Sequence, residues 1–309
     1  MHKVTVFGSF VVDLMARTPY LPAPGETVKG SLFRQGPGGK GFNQGIAAHK
    51  AGADVNMVTK IGRDSMAMIA TDAMDAVGMP KDHLCRSDTD ATGIALIMVD
   101  ENTSQNKIVI VPGACATIND ADITEATDCI VESKYLLLQL EVNQDANEKV
   151  ARIAKQHGVK VIVNTAPYQD IMSDEFLNGC WLVTPNEVEA EAMTGIVIDG
   201  IESADRAAEV IRSKGVSQVL ITLGGRGVYV NMDGVSEIVP AYRVRAIDTT
   251  GAGDAFNGGL LCALAENKSL PEAARFANAV AAISVTRLGT TPAMPARSEV
   301  DEFIRAHNE

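Results

Sequence analysis

Residues 135–164 read YLLLQLEVNQDANEKVARIAKQHGVKVIVN. An apolar run at 135–140 gives way to a stretch from 144 to 156 in which Ala146, Val150, Ile153 and Ala154 recur at helical spacing, and a β-branched run follows at 159–164. Strand, helix, strand in 30 residues is the unit of a parallel sheet, because a parallel partner needs a crossover helix to bring the chain back. The same rhythm extends in both directions. Strands are expected at 4–7, 55–60, 181–184 and 219–223, with helices at 44–51, 65–77, 187–193 and 204–214, and a mostly helical end at 254–265 and 271–287. The fold class that follows is α/β, a mostly parallel sheet flanked by helices.

Two segments break the rhythm. Residues 12–35 contain Pro19, Pro22, Pro24, Gly25 and Gly30, and residues 92–112 are extended and apolar around a polar turn at 100–106. Neither can cover the main sheet as a helix. They are expected to form a small antiparallel sheet, a lid made of inserted segments at about 12–39 and 91–112, on a single domain spanning 1–309.

The 309 residues are 46% hydrophobic and 21% charged, an ordinary globular composition. The longest apolar runs, 94–99 and 260–265, fall far short of the roughly 20 residues that cross a bilayer. The N-terminus has no signal-like apolar stretch, and a cytoplasmic address is expected. A net charge of −12 with no basic block argues against nucleic acid as a partner. The cysteines, Cys85, Cys115, Cys129, Cys180 and Cys262, form no Cys-x-x-Cys pair and read as buried reduced thiols. The five scattered histidines carry no metal-ligand spacing.

The sharpest motif is DTTGAGDAFNG at 248–258, where an extended segment turns into a helix. Small residues at Gly251, Ala252 and Gly253 let main-chain amides approach an anion, and the helix dipole adds to the attraction. Asp254 in that turn suits a base taking a proton from a hydroxyl that attacks a held phosphoryl group; it equally suits a helix cap. A second cluster, GPGGKGFNQ at 36–44, matches Gly-x-Gly-x-x-Gly but does not directly follow the first strand, so a dinucleotide fold fails on context. No P-loop pattern occurs. The cluster is an amide-rich loop with one cation, Lys40, or a tight turn. Asn186 and Glu189 stand three apart, a spacing that serves water-mediated Mg²⁺ binding or a capping box. The glycines of TLGGRG at 222–227 end a strand where α/β proteins bind ligands, and a simple hairpin would also explain them.

In order and spacing, Gly8-Ser9 with Asp13, the PGET at 24–27, the GGKGFNQ at 38–44, the TPNE at 184–187, the TLG at 222–224 and the 248–254 motif together resemble the PfkB carbohydrate kinase family, most closely its ribokinase branch, over nearly the whole chain. The resemblance implies a ribokinase-like α/β body with a β-sheet lid, and a homodimer joined through the lids. It implies Asp254 as the base and the amides of Gly251, Ala252 and Gly253 as an anion hole. Asp13, Gly39, Lys40, Asn43 and Glu141 would face the sugar. Thr222, Gly224, Gly227, Asn278 and Asn186 would serve ATP, with Asn186 and Glu189 acting on Mg²⁺ through water. Asp248, Thr250, Ser284, Arg287 and Gly289 match the positions of a monovalent cation loop, K⁺ being the ion implied.

Two positions depart from that pattern. Val11 stands where the branch carries Asn, two residues before the sugar-binding Asp, and Ala293 stands where its cation loop carries Ser. A sugar hydroxyl left unpaired in a closed site costs about 1–3 kcal/mol, a penalty that a 2-deoxy sugar escapes. The implied reaction is transfer of the γ-phosphoryl group of ATP to the 5-hydroxyl of a pentose, ribose first. The alternatives are a 2-deoxyribose or related sugar kinase and, from another class, a sugar and nucleotide sensor without turnover.

Overall fold

A strand apolar along its whole length is stable only when both faces are covered, and the four residues of Tyr135–Leu138 are all buried. The computed structural model describes residues 1–103, 105–168, 172–232 and 235–307. From the N-terminus β1 (Lys3–Phe7) leads into β2 (Val11–Thr18) and β3 (Leu32–Gly38), followed by α1 (Lys40–Lys50), β4 (Asp54–Ile61), α2 (Ala67–Val77) and β5 (Leu84–Arg86). A second pair, β6 (Thr92–Asp100) and β7 (Asn106–Gly113), precedes α3 (Asp120–Val131), β8 (Tyr135–Leu138), α4 (Gln144–Gln156) and β9 (Lys160–Val163). Then come α5 (Asp174–Leu177), β10 (Leu182–Val183), α6 (Glu187–Thr194), α7 (Ile201–Ser213) and β11 (Gln218–Thr222). The hairpin β12 (Val228–Met232) and β13 (Val235–Val239) and the helices α8 (Ala252–Ala265), α9 (Leu270–Ser284) and α10 (Arg297–His307) complete the chain.

Among the described residues the main sheet has nine strands, ordered β13-β12-β11-β10-β9-β8-β1-β4-β5. Pairing is parallel from β11 to β5, and β12 and β13 add an antiparallel edge. From β1 the chain winds outward through β4 to β5, then returns to β8 beside β1 and winds the other way. The boundary between β1 and β8 is therefore the switch point, at whose carboxyl ends such folds bind ligands. Gly8-Ser9, residues 139–141, Asn164-Thr165 and Asn186 follow strand carboxyl ends, and Thr222 is the last residue of β11.

The two irregular segments form a separate sheet ordered β3-β2-β6-β7. The expectation of an antiparallel sheet needs correction: β2 pairs with β6 in parallel, and only β2/β3 and β6/β7 are antiparallel. The reason is that β2 and β6 both run outward and sit side by side, while β3 and β7 return. Of the polar turn at 100–106, Asp100 Oδ1 accepts the amides of Asn102 at 2.8 Å and Thr103 at 3.0 Å, and residue 104 lies outside the described residues.

Most expected elements form within a few residues. Helix α1 starts four residues before the predicted position 44, because Gly39 turns the chain at φ 90° straight into it. Helix α9 ends at Ser284 rather than 287, where the chain enters a loop tied to Asp248. Outside the expected elements lie β5, α3, which is opened by a capping box between Asn119 and Asp122, α5 and α10. All five cysteines are buried and unpaired. No helix among the described residues is long and apolar enough to cross a membrane.

Candidate active site

The turn at 248–254 opens α8. Gly251 adopts φ 74°, a left-handed conformation that suits glycine, and the helix begins at Ala252. Ala252 N donates to Thr249 O at 3.2 Å and Ala255 N to Gly251 O at 2.9 Å. Of the three residues expected to supply an anion hole, Ala252 thus has its amide engaged locally. The amides of Gly253 and Asp254 fall in the first helical turn, which has no preceding turn to donate to. No other atom lies within 4 Å of where a Cβ on Gly253 would stand, so that flank is open.

Asp254 is 7% exposed. Its Oδ2 accepts Asn43 Nδ2 at 3.0 Å and its Oδ1 accepts Gln44 Nε2 at 2.9 Å, so the glycine loop and α1 converge on the carboxylate from 211 and 210 residues away. Asn43 is oriented in turn by Thr291 Oγ1, which donates to its Oδ1 at 2.8 Å. Burial pushes the Asp254 carboxyl up to about 6, against the charge of Lys40 and the hydrogen bonds from Gln44 and Asn43. Asp13 is likewise pushed up to about 6, first by burial and then by the charges of Glu141 and Asp254. Glu141 Oε2 accepts Ser9 Oγ at 2.6 Å and the Lys40 amide at 2.8 Å. The structure therefore gathers Asp13, Gly39, Lys40, Asn43, Glu141 and Asp254 into one polar cluster. The glycines permit this closeness: a Cβ on Gly41 would stand 2.6 Å from Gly8 Cα, and one on Gly38 would stand 2.5 Å from Asp13 Cγ.

On the far side of α8 lies a cavity of about 520 Å³. Thr222, Gly224, Gly227 and Asn278 line it together with Ala252 and Gly253, so the residues predicted for a nucleotide share one space with the helix start. Asn278 Nδ2 donates to Val239 O at 3.2 Å and Pro240 O at 3.1 Å and so shapes that wall.

Asn186 and Glu189 form a capping box: Asn186 Oδ1 accepts Glu189 N at 2.8 Å, and Glu189 Oε2 accepts Asn186 N at 3.0 Å. Thr165 Oγ1 donates to the same Oε2 at 3.0 Å. These bonds engage Oε2 and leave Oε1 outside the capping box. The capping function is thus present and does not use up the carboxylate. No group of three or more His, Cys, Asp or Glu fit to hold a metal directly occurs among the described residues.

Asp248 stitches two loops together, its Oδ1 accepting Thr250 N at 3.0 Å and its Oδ2 accepting Gly289 N at 2.9 Å. Burial pushes the Asp248 carboxyl up, but the amides of Gly289 and Thr250 outweigh it and hold it below the usual range. Ser284 O accepts Arg287 N at 3.0 Å, and the Arg287 guanidinium turns away to pair with Glu299 at 2.5 Å. Asp248, Thr250, Ser284, Arg287 and Gly289 are thereby brought to neighbouring turns, with an anion anchored between them. Residues to which the sequence reading gave no role also appear at the site, chiefly Gln44, Gln139, Asn164 and Thr291. Only Gln44 carried a signal, being part of the quoted loop.

The model of the pfkB family carbohydrate kinases matches residues 1–297. A ribokinase of Haemophilus influenzae is 42% identical over 97% of this chain and 98% of its own length. A deoxyribokinase of Salmonella typhimurium is 33% identical over 97% of this chain and 98% of its own. The solved structure of Arabidopsis thaliana ribokinase complexed with ribose and ATP resembles the present one with a TM-score of 0.92 at 29% identity, covering 98% of this chain and 99% of that one.

Proposed function

Because the chain belongs to the pfkB family of carbohydrate kinases, we propose that it transfers the γ-phosphoryl group of ATP to the 5-hydroxyl of ribose, leaving ribose 5-phosphate and ADP. The observation that carries this reading is the placement of Asp254. It is buried beside a cavity that ends at Ala252 and Gly253 on one hand and a polar cluster of Asp13, Asn43 and Glu141 on the other. A nucleotide in the first and a sugar in the second would meet at the start of α8.

Asp13 and Asn43 orient the sugar, with Glu141 holding the loop amide of Lys40 in place. Asp254 accepts the proton of the attacking hydroxyl, and the amides at the start of α8 stabilise charge on the transferring group. The small sheet, built on the carboxyl-end side of β1, excludes water that would otherwise compete as nucleophile. Asn186 and Glu189 would hold Mg²⁺ through its waters, and that ion, when bound, neutralises phosphate charge. The loops joined by Asp248 would hold K⁺ through main-chain oxygens of Thr250, Ser284, Arg287 and Gly289. We place the reaction in the cytoplasm, in keeping with five unpaired thiols.

Two copies would join through the small sheet. Its edge strand β7 leaves Ile108, Val109, Ile110 and Val111 each about half exposed, an apolar edge that a partner strand would cover. Sedimentation should give a dimer, and Val109→Lys with Val111→Lys should give a monomer.

The test of the reading is ADP release from ATP with ribose, 2-deoxyribose, hexoses and nucleosides offered in turn, with and without K⁺. ATP-dependent consumption of a pentose supports it, and binding without turnover would favour a sensor. A second reading, 2-deoxyribose as the preferred sugar, is favoured by Val11. That side chain is 6% exposed at the start of β2, paired with Gly38 and Gly93, and has no polar atom to offer a hydroxyl. Val11→Asn should therefore raise the ribose to 2-deoxyribose ratio of kcat/KM by roughly 5- to 150-fold. An unchanged ratio means that the position does not read the 2-hydroxyl.

A further inference from the structure

Gln44 is fully buried, and every polar atom of its side chain is engaged. Its Nε2 donates at 2.9 Å to Asp254 Oδ1 and at 3.0 Å to Asn164 Oδ1. Its Oε1 accepts Gln139 Nε2 at 2.8 Å. The neighbours dictate which way this amide faces. Asn164 Nδ2 donates to Thr184 O at 3.0 Å, so Asn164 has only its oxygen to present to Gln44. If the Gln44 amide turned over, its oxygen would face the carboxylate and the Asn164 oxygen, while its nitrogen would face the Gln139 nitrogen. The bonds to Asp254 and Asn164 would become repulsions, and the third would survive only if the Gln139 amide, whose Oε1 has no other partner, turned as well. The relay continues to α8 itself: Thr184 Oγ1 donates to Asn257 Oδ1 at 2.7 Å, and Asn257 Nδ2 donates to Gly253 O at 2.8 Å.

We infer that Gln44 is a positioning residue for the phosphoryl transfer: locked by Gln139 and Asn164, its amide keeps an N–H on Asp254 Oδ1, holding that carboxylate in place and in the anionic form that takes up the proton. The inference rests on Asp254 acting as the base. The other charged groups facing Asp254 are Lys40 from α1, Glu141 beyond β8 and Asp13 from β2. Lys40 favours the anion and the two acids oppose it, so Gln44 and Asn43 supply the neutral donors that help keep the carboxylate charged in this buried place.

The test is the pH profile of kcat for Gln44→Met, which keeps the length and removes the donor. The acid limb is expected to move up by about one pH unit or more, with turnover recovering to within a few fold of the parent on the alkaline plateau and the KM for ATP unchanged. A drop in kcat by the same factor at every pH, with the acid limb unmoved or lowered, overturns the assignment, because a merely structural role predicts that result. Should Gln44→Met not fold, Gln139→Met releases the Gln44 oxygen while leaving Gln44 itself, and the same limb should move in the same direction by a smaller amount; an unmoved limb there overturns it equally. Asp254→Ala is measured alongside. If it retains turnover, the base reading itself fails; if it is inactive while the Gln44→Met profile stays put, only the positioning role is lost.

Discussion

Asp254→Asn should lower kcat by roughly 10²- to 10⁴-fold, the range over which a positioned general base acts, while the KM for ATP stays within a few fold. The cavity proposed for the nucleotide is lined by Thr222, Gly224, Gly227 and Asn278, none of which hydrogen-bonds the carboxylate, so binding there should be left intact. Asparagine is informative because it keeps the size of the side chain and removes both the charge and one of the two acceptors that Asn43 and Gln44 use. Alanine removes both acceptors and leaves two buried donors unpaired, so it should unfold more readily as well as fail in turnover. The unmodified enzyme should show the matching pH dependence. With the base pushed up to about 6 by burial, kcat falls as the pH drops through that value and a proton occupies the group. Steady-state rates with both substrates varied, between pH 5 and 9, decide this. Turnover of Asp254→Asn within a few fold of the parent would remove the residue from its role.

Asp13→Asn should have the second-largest effect, and it should act in opposite directions on function and stability. The kcat/KM for ribose should fall about 100-fold, the loss expected when a charged hydrogen bond of about 1.5–3 kcal/mol to a buried hydroxyl disappears. In the same variant the sugar-free protein should become more stable at pH 8. Asp13 titrates near 6 in the fold against an ordinary 3.8, because it is buried beside Glu141 and Asp254. The native state therefore binds a proton more readily than the unfolded chain does. This penalty on folding is absent below about pH 4, grows as the pH rises, and is complete above about pH 6. The difference corresponds to at most about 3 kcal/mol, reduced by whatever solvent reaches the group. Melting temperatures at pH 5 and pH 8 check it: the parent should lose more stability than Asp13→Asn between the two. Equal losses would mean that the carboxylate is not strained by its neighbours.

The body of the fold was readable from local pattern. Strands such as β8 are continuous apolar runs, and α4 falls on Gln144–Gln156 as its spacing predicts. Helix α1 was read short because Gly41 and Gly45 weaken the helical signal, whereas its burial against α8 and β1 stabilises it regardless. The small sheet was legible as an irregularity, but the parallel pairing of β2 with β6 joins segments about 80 residues apart and has no local signature. Asp254 and the glycine turn before it were legible as a motif at a helix start, though local pattern left the carboxylate divided between a base and a helix cap. For Asn186 and Glu189, one spacing served two functions, and only the observed bonds show that the cap is made with a carboxylate oxygen to spare.

Periodicity and glycine placement, which act over a few residues, are enough to establish an α/β chain with a glycine-rich helix start and an amide-rich loop. Bringing Asn43 and Gln44 onto Asp254, raising Asp13 and Asp254 toward neutrality, and setting Gln139 and Asn164 behind Gln44 required the folded molecule. Those effects depend on distances between groups 95 to 211 residues apart and on the exclusion of water, and burial comes into being only when the sheet, α1 and α8 close on one another.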